Sequence, residues 1–156
     1  MLNRRGLDQA LARAWRRHRQ GQGSFGVIMC DVDRFKDVND SLGHAVGDRV
    51  LAETARRLAR ALRTNDTFGR YGGEEFLAIV GTDDPIRLME VAERLRQIVS
   101  GSALAGTDVH VTASFGAASA SHFATLPALC VAVDRALYMA KQQGRDRCTL
   151  APEEPR

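Results

Sequence analysis

"TFGRYGGEEFLAIV", Thr67 to Val80, consists of two strand-like runs separated by a glycine pair. The runs 67–71 and 74–80 are aromatic and aliphatic, and a Gly-Gly step between such runs is a hairpin signal. The turn sets a basic-aromatic pair, Arg70-Tyr71, close to two adjacent acids, Glu74-Glu75. Two readings are open at this point. The charges solvate a tight turn, or the glycines clear space for a large anionic ligand and its metals to reach the carboxylates.

A hairpin implies antiparallel pairing, and the rest of the chain supplies helices to cover it. Leu7, Leu11, Ala14 and Trp15 recur at helical spacing, which predicts a helix over 5–19, broken by "GQGS" at 21–24. "FGVIMC" (25–30) has strand length and ends in the acidic "DVD". Leu51, Ala55, Leu58, Ala59 and Leu62 predict a second helix over 45–63. "DDPIRLMEVAERLRQIV" (83–99) opens with acids and a proline, the mark of a helix N-terminus. "VHVTASFG" (109–116) alternates, predicting a half-buried strand. "LPALCVAVDRALYMAKQQGR" (126–145) is a last helix with Gly144 as its stop, and "DRCTL" (146–150) a short final strand. The order predicts one α+β domain over 1–150, a mostly antiparallel central sheet flanked by helices, with 151–156 as a disordered tail. No internal repeat or linker divides it.

Composition agrees with this. A chain of 156 residues with 44% hydrophobic and 26% charged residues is long enough to bury a core as one globular domain. It lacks an apolar run of membrane-spanning length and the apolar region of a secretory signal. Three cysteines without metal-like spacing fit free thiols in a reducing cytoplasm. The net charge of +3 suits a phosphate-bearing partner without demonstrating one. Arg56, Arg57, Arg60 and Arg63 read as a solvated helix face, and with only 6% aromatic residues no nucleic-acid partner is expected.

Asp31 follows directly on a buried strand and Glu74 sits at the hairpin tip. If the hairpin pairs with that strand, the two carboxylates converge, and one or two carboxylates are what Mg²⁺ prefers beside water and substrate phosphates. Two such ions can activate an attacking oxygen and stabilise a leaving one. The competing reading is that Asp31 and Asp33 cap the following segment while Glu74 and Glu75 solvate the turn. Spacing alone leaves both standing.

Longer stretches decide between them. "RYGGEEF" together with "DVDRFKDVNDSLGHAVGD" (31–48), "TASFG" (112–116) and "YMAKQQGRDR" (138–147) resembles the GGDEF-family diguanylate cyclases in their GGEEF variant, over nearly the whole chain. The resemblance implies a palm-like, ferredoxin-type sandwich shared with nucleotide cyclases and polymerases. It implies that two GTP condense to the second messenger cyclic di-GMP, each 3′-hydroxyl attacking the other's α-phosphate with loss of pyrophosphate. By similarity, Asp31, Glu74 and the Val32 carbonyl would bind two Mg²⁺ per site, with Mn²⁺ an alternative. Glu74, or hydroxide on the metal beside it, would take the 3′-hydroxyl proton. Glu75 matches the motif's second acid. Asn39 and Asp48 match the guanine-reading pair, where an unpaired acceptor costing about 1–3 kcal/mol would reject adenine. Lys36, Lys141 and Arg145 match triphosphate contacts, and Lys36 and Lys141 are the only lysines in the chain. Phe35, His44, Gly72 and Gly73 complete the expected substrate contacts.

"RTND" supplies Arg63 and Asp66, five residues before the glycines, matching the family's product-inhibition site, with Arg94 as its secondary arginine. Family members usually open with "DxLTGLxNRR", of which Leu2-Asn3-Arg4-Arg5 remains. The expectation is therefore an excised catalytic domain with a regulatory domain upstream in the native protein. It would be cytoplasmic, or membrane-tethered through that missing region, and active as a homodimer. The alternative is a catalytically silent module that binds GTP or cyclic di-GMP.

Overall fold

The computed structural model describes residues 1–155. The elements run α1 (Arg4–Arg19), β1 (Gly26–Val32), α2 (Phe35–Leu42), α3 (His44–Ala61), β2 (Thr67–Arg70), β3 (Glu75–Val80), α4 (Pro85–Ser100), β4 (Ala113–Ser119), a 3₁₀ turn (Ala120–His122), α5 (Leu126–Gln142) and β5 (Cys148–Leu150). One sheet is ordered β2-β3-β1-β4-β5, antiparallel except for the β4–β5 pair. The α+β reading holds.

β1 lies mid-sheet and is buried along its length, which is why it reads as an unbroken apolar run. Ile28, Cys30 and Val32 meet residues of α3 and α4 such as Leu58 and Leu88 on one face. Val27 and Met29 meet α1 and α5 through Leu7, Leu11, Leu129 and Val133 on the other. α5 lies close against β4 because residue 116 is glycine: a Cβ there would stand 2.4 Å from the Leu137 nitrogen and 2.6 Å from the Val133 oxygen. That close approach sets where the end of α5, with Lys141, meets the end of β1.

Four details differ from expectation. α2 is a helix where none is predicted: Phe35, Val38 and Leu42 do lie at helical spacing, but eight residues with one fully buried side chain are too short a run to stand out. β1 continues through Asp31 and Val32 rather than ending before them. β4 begins at Ala113 and is buried on both faces, since α4 covers one and α5 the other. Within the expected tail 151–156, whose last residue lies outside the described ones, Ala151 is 2% exposed and its N–H donates to the Ala117 carbonyl at 2.8 Å. Farther along, Glu154 receives the Ala124 N–H at 2.9 Å. Among the described residues, no helix is long and apolar enough to cross a membrane.

Candidate active site

β1 and β3 pair so that Asp31 stands opposite Glu75, and the Val32 N–H donates to the Glu74 carbonyl at 3.2 Å. The hairpin tip is thereby joined to the end of the central strand, and the two acids of "GGEEF" meet Asp31. The turn itself is wider than a two-residue hairpin. The Tyr71 N–H closes it onto the Glu75 carbonyl at 2.9 Å, and Arg70 Nε donates to the Gly73 carbonyl at 3.0 Å. Neither Gly72 nor Gly73 has positive φ, so the pair is not there for a tight turn. A Cβ at Gly73 would meet nothing within 4 Å, whereas one at Gly72 would lie 3.1 Å from Glu75 Oε2. Bare backbone thus faces open space beside the carboxylates.

Asp31 is buried at 6% exposure, and Lys141, arriving from the end of α5, donates to its Oδ2 at 2.8 Å. Burial pushes the Asp31 carboxyl above its usual range, opposed by the Lys141 hydrogen bond and charge. Burial, then the Asp31 charge, also pushes Glu74 and Glu75 up. Three carboxyls therefore repel one another around one lysine. Among the described residues no cluster of three or more metal-ligating side chains forms a ready cage. Mg²⁺ needs none: it takes one or two carboxylates and leaves its other positions to water and phosphate. Asp31, Glu74 and the Val32 carbonyl would supply hard oxygens of that kind, and the carboxylates here outnumber the lysine between them, so the residues present fit that ion.

α2 is preceded by Arg34, which is left-handed (φ 54°) and offers no side-chain cap. The first N–H groups of α2 are therefore open beside the strand end, with Phe35 buried and Lys36 exposed in the first turn. Neither Asp31 nor Asp33 caps this helix, which removes the capping alternative. Asn39, from α2, packs against Gly47 of α3: a Cβ there would lie 1.8 Å from Asn39 Oδ1. That Oδ1 is buried and has no hydrogen-bond partner. Asp48, the next residue of α3, and His44 at its start are exposed.

α5 stops at Gly144, which has φ +119°. The Arg145 N–H reaches the Ala140 carbonyl at 3.0 Å and the Gly144 N–H the Lys141 carbonyl at 3.4 Å, a Schellman closure. Arg145 is exposed, and its charge contributes to holding the Asp31 carboxyl down.

A second group gathers at the end of α3. Asp66 accepts the Arg63 N–H at 2.9 Å and the Gly81 N–H at 3.3 Å, while Arg94 Nη2 donates to the Ala61 carbonyl at 3.2 Å. Asp66 thus ties the turn after α3 to Gly81, while Arg94 of α4 reaches the last residue of α3. Sequence reasoning overlooked the part played by Asp33, which is buried and accepts three hydrogen bonds from distant segments. The only local signal was its spacing two residues after Asp31.

The family model described as "Diguanylate cyclase, GGDEF domain" matches residues 1–147. Diguanylate cyclase A of Treponema denticola is 38% identical over 131 residues, 82% of this chain and 35% of that protein. The chain therefore spans about a third of the length of this curated relative. Among solved structures, the GGDEF domain of YfiN from Pseudomonas aeruginosa is 32% identical with TM-score 0.91, covering 99% of this chain and 98% of that one. The GGDEF domain of DgcB from Caulobacter crescentus, solved in complex with c-di-GMP, is 30% identical with TM-score 0.89, covering 97% and 91%. A palm-like sheet, an intact "GGEEF" hairpin against Asp31, and this match over nearly its full length agree: the chain belongs to the GGDEF family.

Proposed function

We propose that this domain is a diguanylate cyclase that condenses two GTP into cyclic di-GMP and two pyrophosphates. The observation that carries the reading is the meeting of Asp31, Glu74 and Lys141 at the end of β1, a carboxylate pair and a cation drawn from three distant segments. Asp31, Glu74 and the Val32 carbonyl would hold Mg²⁺, which would neutralise charge on the α-phosphate and acidify the attacking 3′-hydroxyl. Glu74, at the hairpin tip beside the end of β1, would accept the 3′-hydroxyl proton. Lys36, Lys141, Arg145 and the open N–H groups of α2 hold the triphosphate. Asn39, with its unpartnered buried oxygen, and Asp48 read the guanine edge.

Each domain presents one GTP, so the reaction needs two copies face to face, and bringing the half-sites together is the main catalytic contribution. Arg63, Asp66 and Arg94 form the site at which product binds and slows turnover. A regulatory domain or partner would control the pairing. Incubation with GTP and Mg²⁺ should yield cyclic di-GMP and pyrophosphate, at a rate rising more than linearly with protein concentration. GTP binding without product, at high protein concentration, would instead favour a silent binding module.

A further inference from the structure

Asp33 is a buried carboxylate to which the reaction above gives no part. At 7% exposure it meets no cation; its oxygens accept from Ser114 Oγ at 2.6 Å, Thr112 Oγ1 at 2.7 Å and the Asp146 N–H at 3.0 Å. Two of these donors lie at the start of β4. The third lies in the loop after α5, where Arg145 (φ 65°) and Asp146 (φ 45°) are consecutive left-handed residues, neither of them glycine. Such a pair persists only where its surroundings over-determine it. Here the Arg145 N–H is taken by Ala140, its carbonyl receives Arg147 Nε at 3.1 Å, and the Asp146 side chain pairs with Arg96 at 2.7 Å. The backbone on both sides of Arg145 is pinned, while its guanidinium is exposed and, among the described residues, donates no hydrogen bond.

We propose that Asp33 is a positioning residue that aims Arg145: by holding the Asp146 N–H it locks the left-handed turn to β1, and so points the guanidinium at the phosphates of a nucleotide seated over Asp31. The inference rests on Arg145 being a triphosphate contact. Asp33 does not touch the nucleotide; it acts through one peptide group.

Four variants (Asp33→Ala, Asp33→Asn, Arg145→Ala and the Asp33→Ala/Arg145→Ala double) are compared by calorimetric binding of GTP with Mg²⁺ and by steady-state kinetics. Asp33→Ala should weaken GTP binding and raise KM by about tenfold, with kcat within about threefold. Asp33→Asn keeps an acceptor for the Asp146 N–H and should recover most of the affinity. On the Arg145→Ala background, Asp33→Ala should add less than about twofold, because its effect runs through the guanidinium. Asp33→Ser, which retains a hydroxyl for the β4 side but falls short of the loop, serves if the alanine variant fails to fold, and should match its loss. Losses that multiply in the double variant, or a folded Asp33→Ala or Asp33→Ser protein that binds GTP like wild type, overturn the proposal. Wild type that binds GTP without making cyclic di-GMP overturns the catalytic reading while the binding comparison still decides this one. Wild type that does not bind GTP overturns both.

Discussion

Lys141 Nζ stands 2.8 Å from Asp31 Oδ2, joining the end of α5 to the end of β1 across 110 residues. If Asp31 holds Mg²⁺ as proposed, this ammonium and the metal would compete for the same carboxylate. On that reading, metal binding would free the lysine for the phosphates.

Lys141→Met tests that exchange. In metal-free buffer the variant should lose about 1–2 kcal/mol, since the buried Asp31 keeps its desolvation cost without its cation and the half-exposed lysine tempers the effect. Added Mg²⁺ alone should raise Tm more in the variant than in wild type, because no ammonium competes. Turnover should fall at least about tenfold. Equal Mg²⁺-induced shifts in the two proteins, measured by differential scanning calorimetry, would show that Lys141 and the metal do not share the position.

Glu74→Gln should lower cyclic di-GMP formation by more than about 100-fold while leaving the fold intact, as loss of a proton acceptor and metal ligand requires. The same variant carries a signed pH effect. Burial, then Asp31, raises the Glu74 carboxyl in the folded protein, so the folded state keeps its proton at pH values where the unfolded chain has released it. Its contribution to stability is therefore lost as pH rises through that window. In metal-free buffer Glu74→Gln should melt above wild type at pH 7. The gap should narrow as pH falls towards about 4, where most of Glu74 is neutral in both states. Melting curves across pH 4–8 read this directly, and a gap that widens at low pH contradicts it.

These tests rest on contacts that were unevenly legible in the sequence. α1, α3, α4 and α5 each bury one stripe, so their apolar periods announce them. α2 places Phe35, Val38 and Leu42 on one side, but it is only eight residues long and follows a left-handed arginine rather than a capping side chain, so its period is too brief to mark it. The double burial of β4 was hidden because Ala113, Ser114 and Gly116 are small or polar and resemble a solvent-facing alternation. Pairing of the hairpin with β1 made the meeting of Asp31 and Glu74 derivable from strand ends. Lys141 and the donors to Asp33 come from 79 to 113 residues away, a closeness that only the three-dimensional fold creates.

Arg63→Ala should raise the cyclic di-GMP concentration needed for half-inhibition by about tenfold or more, with kcat unchanged in early, product-free turnover. The Arg63 side chain makes no hydrogen bond among the described residues, so its loss should leave Tm where it was. Asp66→Ala behaves differently. Its carboxylate holds both the Arg63 and Gly81 N–H groups, so removing it should weaken inhibition and also destabilise the protein by about 1 kcal/mol. Inhibition curves paired with melting temperatures separate the two residues.

Gly47→Ala sets stability against binding at one position. Gly47 lies inside α3, where alanine gains up to about 1 kcal/mol of helix propensity over glycine. The new Cβ would fall 1.8 Å from Asn39 Oδ1, the end of a flexible side chain that can swing aside, and 3.2 Å from Phe35 Cζ. Asn39 must then leave its present rotamer, in which its buried oxygen packs against Gly47. The variant should melt at or above the wild-type temperature yet bind GTP about tenfold more weakly, with discrimination against ATP reduced because guanine-specific contacts are lost while phosphate contacts remain. Calorimetric titration with GTP and with ATP, alongside a thermal melt, measures both effects. Unchanged GTP affinity in the folded variant would mean that Asn39 does not need its present rotamer to recognise the base.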